Sequence, residues 1–110
     1  MQMKIELGID GCPAIVRLHG KLDSSSATAV ETAIINAITP GATRLVIDCA
    51  HLDFLSSAGI RTLITAIKKM KVSGGTVALV ALQPNVREIL EISSLLKLFQ
   101  ICATTEDALK

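Results

Sequence analysis

The sequence predicts an α/β fold, a single domain of four to five strands and about four helices, and three observations carry that prediction. Leu45-Val46-Ile47 and Thr76 to Leu82 are short continuous apolar runs, the pattern of central strands buried on both faces. Between them Ile60, Leu63, Ile64 and Ile67 fall at i, i+3, i+4 and i+7 and line one face of a helix, with Arg61, Thr65, Lys68 and Lys69 on another. The order strand, helix, strand then calls for a right-handed crossover. A chain of 110 residues fits one domain, which commonly holds roughly 100 to 200 residues, and no repeat, low-complexity segment or linker divides it.

In chain order, Lys4 to Ile9 alternates polar and apolar residues, Asp10-Gly11 signals a turn, and Ala14 to Leu18 resumes as strand, which together predict a hairpin. Arg17 and His19 share a face opposite Ala14, Val16 and Leu18, so one side of this strand lies near water and His19 reads as a surface residue. Gly20 to Asp23 is a connection. Asp23 or one of Ser24, Ser25 and Ser26 then caps a helix with the stripe Ala27, Val30, Ile34, Ala37 and Ile38, ending before Pro40-Gly41. After Ile47 a short loop from Asp48 delivers Ser56 and Ser57 to the first turn of the next helix, which stops at Ser73-Gly74-Gly75. Gln83-Pro84-Asn85 opens a shorter helix carrying Val86, Ile89 and Leu90, with Pro84 near the start where its missing N–H costs little. Leu95 to Ile101 reads as a last short strand, and Thr104 to Leu109 as a capped terminal helical turn or two.

Composition excludes several functions. Half the residues are hydrophobic, enough for a continuous core without disulfides or metal. The 11 Lys plus Arg against 10 Asp plus Glu leave a formal charge of +1, so there is no basic field for nucleic acid. Two Phe with no Tyr or Trp leave almost nothing for bases to stack on. Cys12, Cys49 and Cys102 are odd in number and show no zinc or redox spacing, which suits reduced, structural cysteines of a cytosolic protein. The segment Met1 to Glu6 has no apolar run of signal-peptide type, and the longest run, Val77 to Leu82, is far too short to span a bilayer. The chain reads as soluble and cytoplasmic, with no membrane partner.

Chemistry concentrates between Asp48 and Met70, where two serines meet a helix start. One serine oxygen can cap a free N–H of the first turn. A second serine beside the cap leaves a hydroxyl free, where backbone N–H groups and the helix dipole favour an added anion. The cluster Ser24-Ser25-Ser26, by contrast, reads as a helix start rather than a phosphorylation tract. His51 with Asp48 or Asp53 near Ser56 and Ser57 raises a small serine hydrolase as an alternative of another class. Against it, there is no Gly-x-Ser-x-Gly elbow and little room for a substrate pocket. Asp48 and Asp53 read as solvated loop acids rather than a magnesium site. Gly-rich phosphate loops of the Walker or Rossmann kind are absent.

Four segments, Gly20-Lys21-Leu22-Asp23, Leu45-Val46-Ile47-Asp48, Phe54-Leu55-Ser56-Ser57-Ala58-Gly59-Ile60 and Ser93-Ser94-Leu95-Leu96-Lys97-Leu98-Phe99, together resemble the STAS domain of bacterial anti-sigma-factor antagonists. The resemblance covers nearly the whole chain, with the motifs in the right order and at the right spacing. It implies a mixed sheet covered by helices, no enzymatic activity, no cofactor and no metal. It also implies that the unphosphorylated form binds an anti-sigma factor that is itself an ATP-dependent serine kinase, and so frees the sigma factor. Phosphorylation by that kinase ends the binding, and a serine phosphatase restores it. The family motif places an Asp before the phosphorylated Ser, then Ser or Thr, then Gly. In this chain Ser56 stands in the Asp position, Ser57 is the acceptor, Ala58 follows and Gly59 is kept, so Ser56 becomes a competing acceptor. Gly59 keeps the helix start open to a partner backbone, and Asp23, Ser24, Ser56, Ser57, Ile60 and Arg61 complete the implied partner-facing surface. The free chain is expected to be a monomer, because each helix turns its apolar face to the sheet. An alternative within the family is the unphosphorylated accessory subunit of a lipid-transport ATPase complex, in which the serine pair is structural.

Overall fold

A computed structural model describes residues 4–7, 14–38, 44–72 and 74–109. The predicted Asp10-Gly11 turn, Cys12, the Pro40-Gly41 stop and Ser73 lie outside the described residues. In order come β1 (Lys4–Leu7), β2 (Ala14–Leu22), α1 (Ala27–Ala37), β3 (Arg44–Leu55), α2 (Ser57–Val72), β4 (Thr76–Val80), α3 (Pro84–Ile92), a 3-10 turn (Leu96–Leu98), β5 (Gln100–Cys102) and α4 (Thr105–Leu109). The strands form one sheet in the order β1-β2-β3-β4-β5, with β1 antiparallel to β2 and every other neighbour parallel. The expected mixed sheet under helices is the observed one.

Side chains alternate across a strand, so each central strand feeds two cores. Leu45, Ile47, Val77 and Leu79 join Val30 and Ile34 of α1, Leu63, Ala66 and Met70 of α2, and Val86 and Leu90 of α3 in the main cluster. Val46, Ala78 and Val80 point the other way, into a smaller cluster closed by Ala108 of α4. Arg44 Nη1 fastens that short helix by donating to the Ala108 carbonyl at 2.7 Å.

Two expectations are corrected. Gly20 to Leu22 and Asp48 to Leu55 are strand rather than loop, because β2 and β3 stay paired as far as Leu22 and Leu55, and only Asp23 of the predicted connection lies beyond β2. The ladder continues through two register shifts, and Gly20, at φ 110°, takes a conformation that costs a residue without a Cβ little. Beyond the first shift Leu52 and Leu55 are buried while His51, Asp53 and Phe54 stay exposed, so the polar letters belong to the outer face of a strand. Leu95 to Ile101 likewise is not one strand. It begins with a 3-10 turn that turns Leu96 onto the main core, and only Gln100–Cys102 pairs with β4.

Candidate functional site

The site lies where β2 and β3 end together. The Ser56 N–H donates to the Leu22 carbonyl at 3.0 Å, which fixes the first turn of α2 against the end of β2. Ser56 is the cap of that helix: its carbonyl accepts from the Ile60 N–H at 2.8 Å and its Oγ from the Gly59 N–H at 3.3 Å. Ser57 is the first helical residue. It is exposed, and its hydroxyl has no hydrogen bond among the described residues. The first turn of α2 contains no acid, so nothing there offsets the positive end of the helix dipole.

Gly59 is buried, and a Cβ there would stand 2.6 Å from the Leu22 carbonyl oxygen and 2.7 Å from Leu55 Cδ1. The close backbone approach that Gly59 admits in this fold is that of the chain's own β2. Ile60 is half-buried and packs on the main core. Arg61 is exposed and edges a groove of about 310 Å³ between α1 and α2, together with Ser24, Thr28, Glu31 and Thr65. Thr62, at the floor of this groove, escaped the sequence reading. It is buried, and its Oγ1 lies 3.2 Å from the Ala58 carbonyl and 3.5 Å from the Ala27 carbonyl, joining the starts of the two helices.

The loop before α1 forms the other wall. The side-chain cap that the sequence predicts is not formed; instead the Asp23 carbonyl accepts from the N–H groups of Ser26 and Ala27 at 3.1 and 2.8 Å. The Asp23 carboxylate instead accepts from the Ser25 hydroxyl at 2.6 Å and the Ser25 N–H at 2.9 Å, and these bonds hold its pKa below the usual carboxylate range. Ser26 Oγ donates to the Lys21 carbonyl at 2.7 Å and accepts from the Asp23 N–H at 3.1 Å. Ser24 is left exposed at the groove edge. Ser24 and Arg61, far apart in sequence, thus border one groove, whose lining also includes Ala58, the residue after Ser57.

The acids of β3 and the histidines of β2 and β3 serve the fold. Asp48 pairs with Arg17 at 3.7 Å and accepts from the Ala50 N–H at 3.0 Å. Gln83 Nε2 donates to Asp53 Oδ1 at 3.2 Å and Asn85 Nδ2 to the Asp53 carbonyl at 2.6 Å, which ties the start of α3 to the end of β3. His51 stacks on His19 with ring centroids 4.9 Å apart, so its ring is held by β2 rather than by Ser57, and His19 is half-buried rather than a simple surface residue. No group of three metal-ligating side chains occurs among the described residues. Phe54, which opens the motif segment ending at Ile60, is 42% exposed beside Leu55-Ser56, an exposure that the sequence does not predict. Its only sequence signal is an aromatic residue at the polar end of a strand. An open concavity of about 500 Å³ bordered by Ser94, Leu96, Lys97, Phe99 and Ile101 shares no residue with the groove.

Among the described residues no helix is long and apolar enough to cross a membrane. Known proteins are similar to this chain in sequence and fold. BtrV of Bordetella bronchiseptica, described as an anti-sigma factor antagonist, is 35% identical over 100 residues, which span 91% of this chain and 85% of that protein. An anti-sigma factor antagonist from Mycobacterium paratuberculosis superposes with a TM-score of 0.86 at 28% identity, covering 98% of this chain and 92% of the other. Bacillus SpoIIAA, solved in unphosphorylated and phosphorylated forms, shares the fold at 23% identity, with TM-scores of 0.83 and 0.74 over 96% of this chain and 93% and 96% of the others. The family model described as STAS domain matches residues 2–108, and the chain belongs to the STAS domain family, with relatives named as anti-sigma factor antagonists.

Proposed function

We propose that the unphosphorylated chain binds an anti-sigma factor through the surface formed by the Asp23 loop and the start of α2, and so frees a sigma factor. The anti-sigma factor is also the kinase that ends the binding by modifying Ser57, and a serine phosphatase restores it. The observation that carries this reading is the division of labour between the two serines: Ser56 is held as the helix cap, while Ser57 leaves its hydroxyl exposed. The names of the relatives and the existence of SpoIIAA in both phosphorylation states support it.

Chemically, Ser57 Oγ attacks the γ-phosphorus of ATP. The Oγ–P bond forms, the bond to the bridging oxygen breaks, ADP leaves, and the hydroxyl proton passes to a base of the kinase. The product is an anion at a helix N-terminus, which the dipole and the free N–H groups favour. This chain supplies an acceptor and a docking surface, and no catalytic group. The reading makes the protein cytoplasmic, where ATP and sigma factors are. The free chain is monomeric, with its exposed large apolar side chains divided between α1 (Ile35), β3 (Phe54), the end of α2 (Val72), the end of α3 (Ile92) and the 3-10 turn (Leu98).

Incubation with the cognate kinase and ATP, followed by peptide mass spectrometry, tests the assignment. Phosphate is expected on Ser57, retained in Ser56→Ala and absent from Ser57→Ala. Phosphate mapped to Ser56, or surviving in Ser57→Ala, overturns it.

A further inference from the structure

Ser57 and Arg61 stand four residues apart on α2, so their side chains are neighbours on one helical face. Both are exposed, and Arg61 has no ion pair among the described residues. Its own helix offers no competitor, because α2 contains no acidic residue. The elements packed against α2 offer little more. Glu31 is the one charged side chain of α1 and edges the same groove as Arg61; Asp23, in the loop before α1, accepts from the Ser25 hydroxyl and N–H; β4 brings no charge; and of the β3 groups Arg44 donates to the Ala108 carbonyl, Asp48 is paired with Arg17, Asp53 accepts from Gln83, and His51 stacks on His19. A guanidinium is thus displayed one helical turn beyond the acceptor hydroxyl.

We infer that a phosphate on Ser57 is gripped by Arg61, so that modification takes a cation off the partner-facing surface as well as adding an anion to it; this rests on Ser57 being the acceptor. An anion followed four residues later by a cation is the favoured order on a helix, because it agrees with the helix dipole. The planar fork of a guanidinium also matches two phosphate oxygens at once. Ser56, five residues from Arg61, lies off that face. The grip therefore distinguishes the two serines: phosphate on Ser57 is held, and phosphate on Ser56 is not.

The test uses the full chain with phosphoserine genetically encoded at position 57, so no kinase is needed. The second ionisation of the phosphate is followed by phosphorus NMR in the chain with Arg61 and in Arg61→Gln and Arg61→Lys. A neighbouring cation favours the dianion, so the midpoint is expected about half a pH unit lower with Arg61 than with Gln, and in between with Lys. Glu31 is present in all three chains, and its effect cancels in the comparison. The gap is expected to close at 1 M salt, where the screening length falls to about 3 Å. Matching thermal melts of the unmodified Arg61→Gln chain and the parent show that the fold is kept. A chain that no kinase modifies would still show the lowered midpoint, which separates this inference from the reading of function. Equal midpoints with Arg61 and Gln overturn it.

Discussion

Ser56 and Ser57 are adjacent and chemically identical, yet only one of them holds the fold together. Ser56 Oγ satisfies a first-turn N–H, so Ser56→Ala is expected to cost about 1 kcal/mol of stability. Ser57 satisfies none, and Ser57→Ala is expected to stay within about 0.5 kcal/mol of the parent. Urea unfolding of the two variants measures both, and equal losses would mean that the hydroxyls share the cap. Cys49 illustrates the opposite case of a polar atom withdrawn from chemistry. Burial in the main core pushes its thiol up from 9.0 to about 12, with the neighbouring Asp48 charge adding to the rise. A group whose folded pKa is raised contributes its full stability below the unfolded value and loses it as pH rises toward the folded one. Unfolding midpoints of the parent and of Cys49→Ala, which lacks the thiol, should therefore converge as pH rises above about 9. A constant gap across that range would show that Cys49 does not carry the dependence.

Helix ends show how far an element can be read from its letters. The end of α2 is legible, since Gly74 at φ 74° closes it with its N–H on the Lys71 carbonyl and the Gly75 N–H on the Met70 carbonyl. The end of α3 repeats this closure: the Ser94 N–H meets the Glu91 carbonyl and the Leu95 N–H the Leu90 carbonyl, with Ser94 at φ 59°. A left-handed serine carries no sequence signal and pays a steric cost that glycine avoids. Ser94→Gly is accordingly expected to raise stability by about 0.5–1 kcal/mol in urea unfolding, and a loss of stability would contradict the strained closure. The same contrast explains β3. Its apolar first half and the stripe of α2 follow simple periods and were legible, as was a serine cap at the helix start. The second half of β3 was not, because register shifts against β2 break the two-residue alternation that marks a strand. The packing of Gly59 and Thr62 was not legible for a related reason, since what they touch, Leu22 and Ala27, comes from segments more than 30 positions away.

For the whole molecule, the question is whether phosphate acts by unfolding the chain or by spoiling a surface. A phosphoserine brings about −1.5 to −2 charges at neutral pH. At the start of a helix an exposed anion is stabilised by roughly 0.3 to 1 kcal/mol, so the modified fold is no weaker than the parent. Pressing the same anion against an unmatched partner surface costs several kcal/mol in desolvation, and about 1.4 kcal/mol is already tenfold in affinity. On the proposed function, interface repulsion is therefore expected to outweigh unfolding. The fold agrees with this division, because the core that stabilises α2 runs along Leu63, Ala66 and Met70, while Ser57, Ser24 and Arg61 stay outside it. One titration tests this most directly: the anti-sigma factor is titrated with the unmodified and the Ser57-phosphorylated chain, and the melting temperature of each is recorded in the same buffer. The account requires an unchanged melting temperature and a loss of affinity on the order of 100-fold or more; a modified chain that melts well below the parent, or binds as tightly as it does, would contradict it.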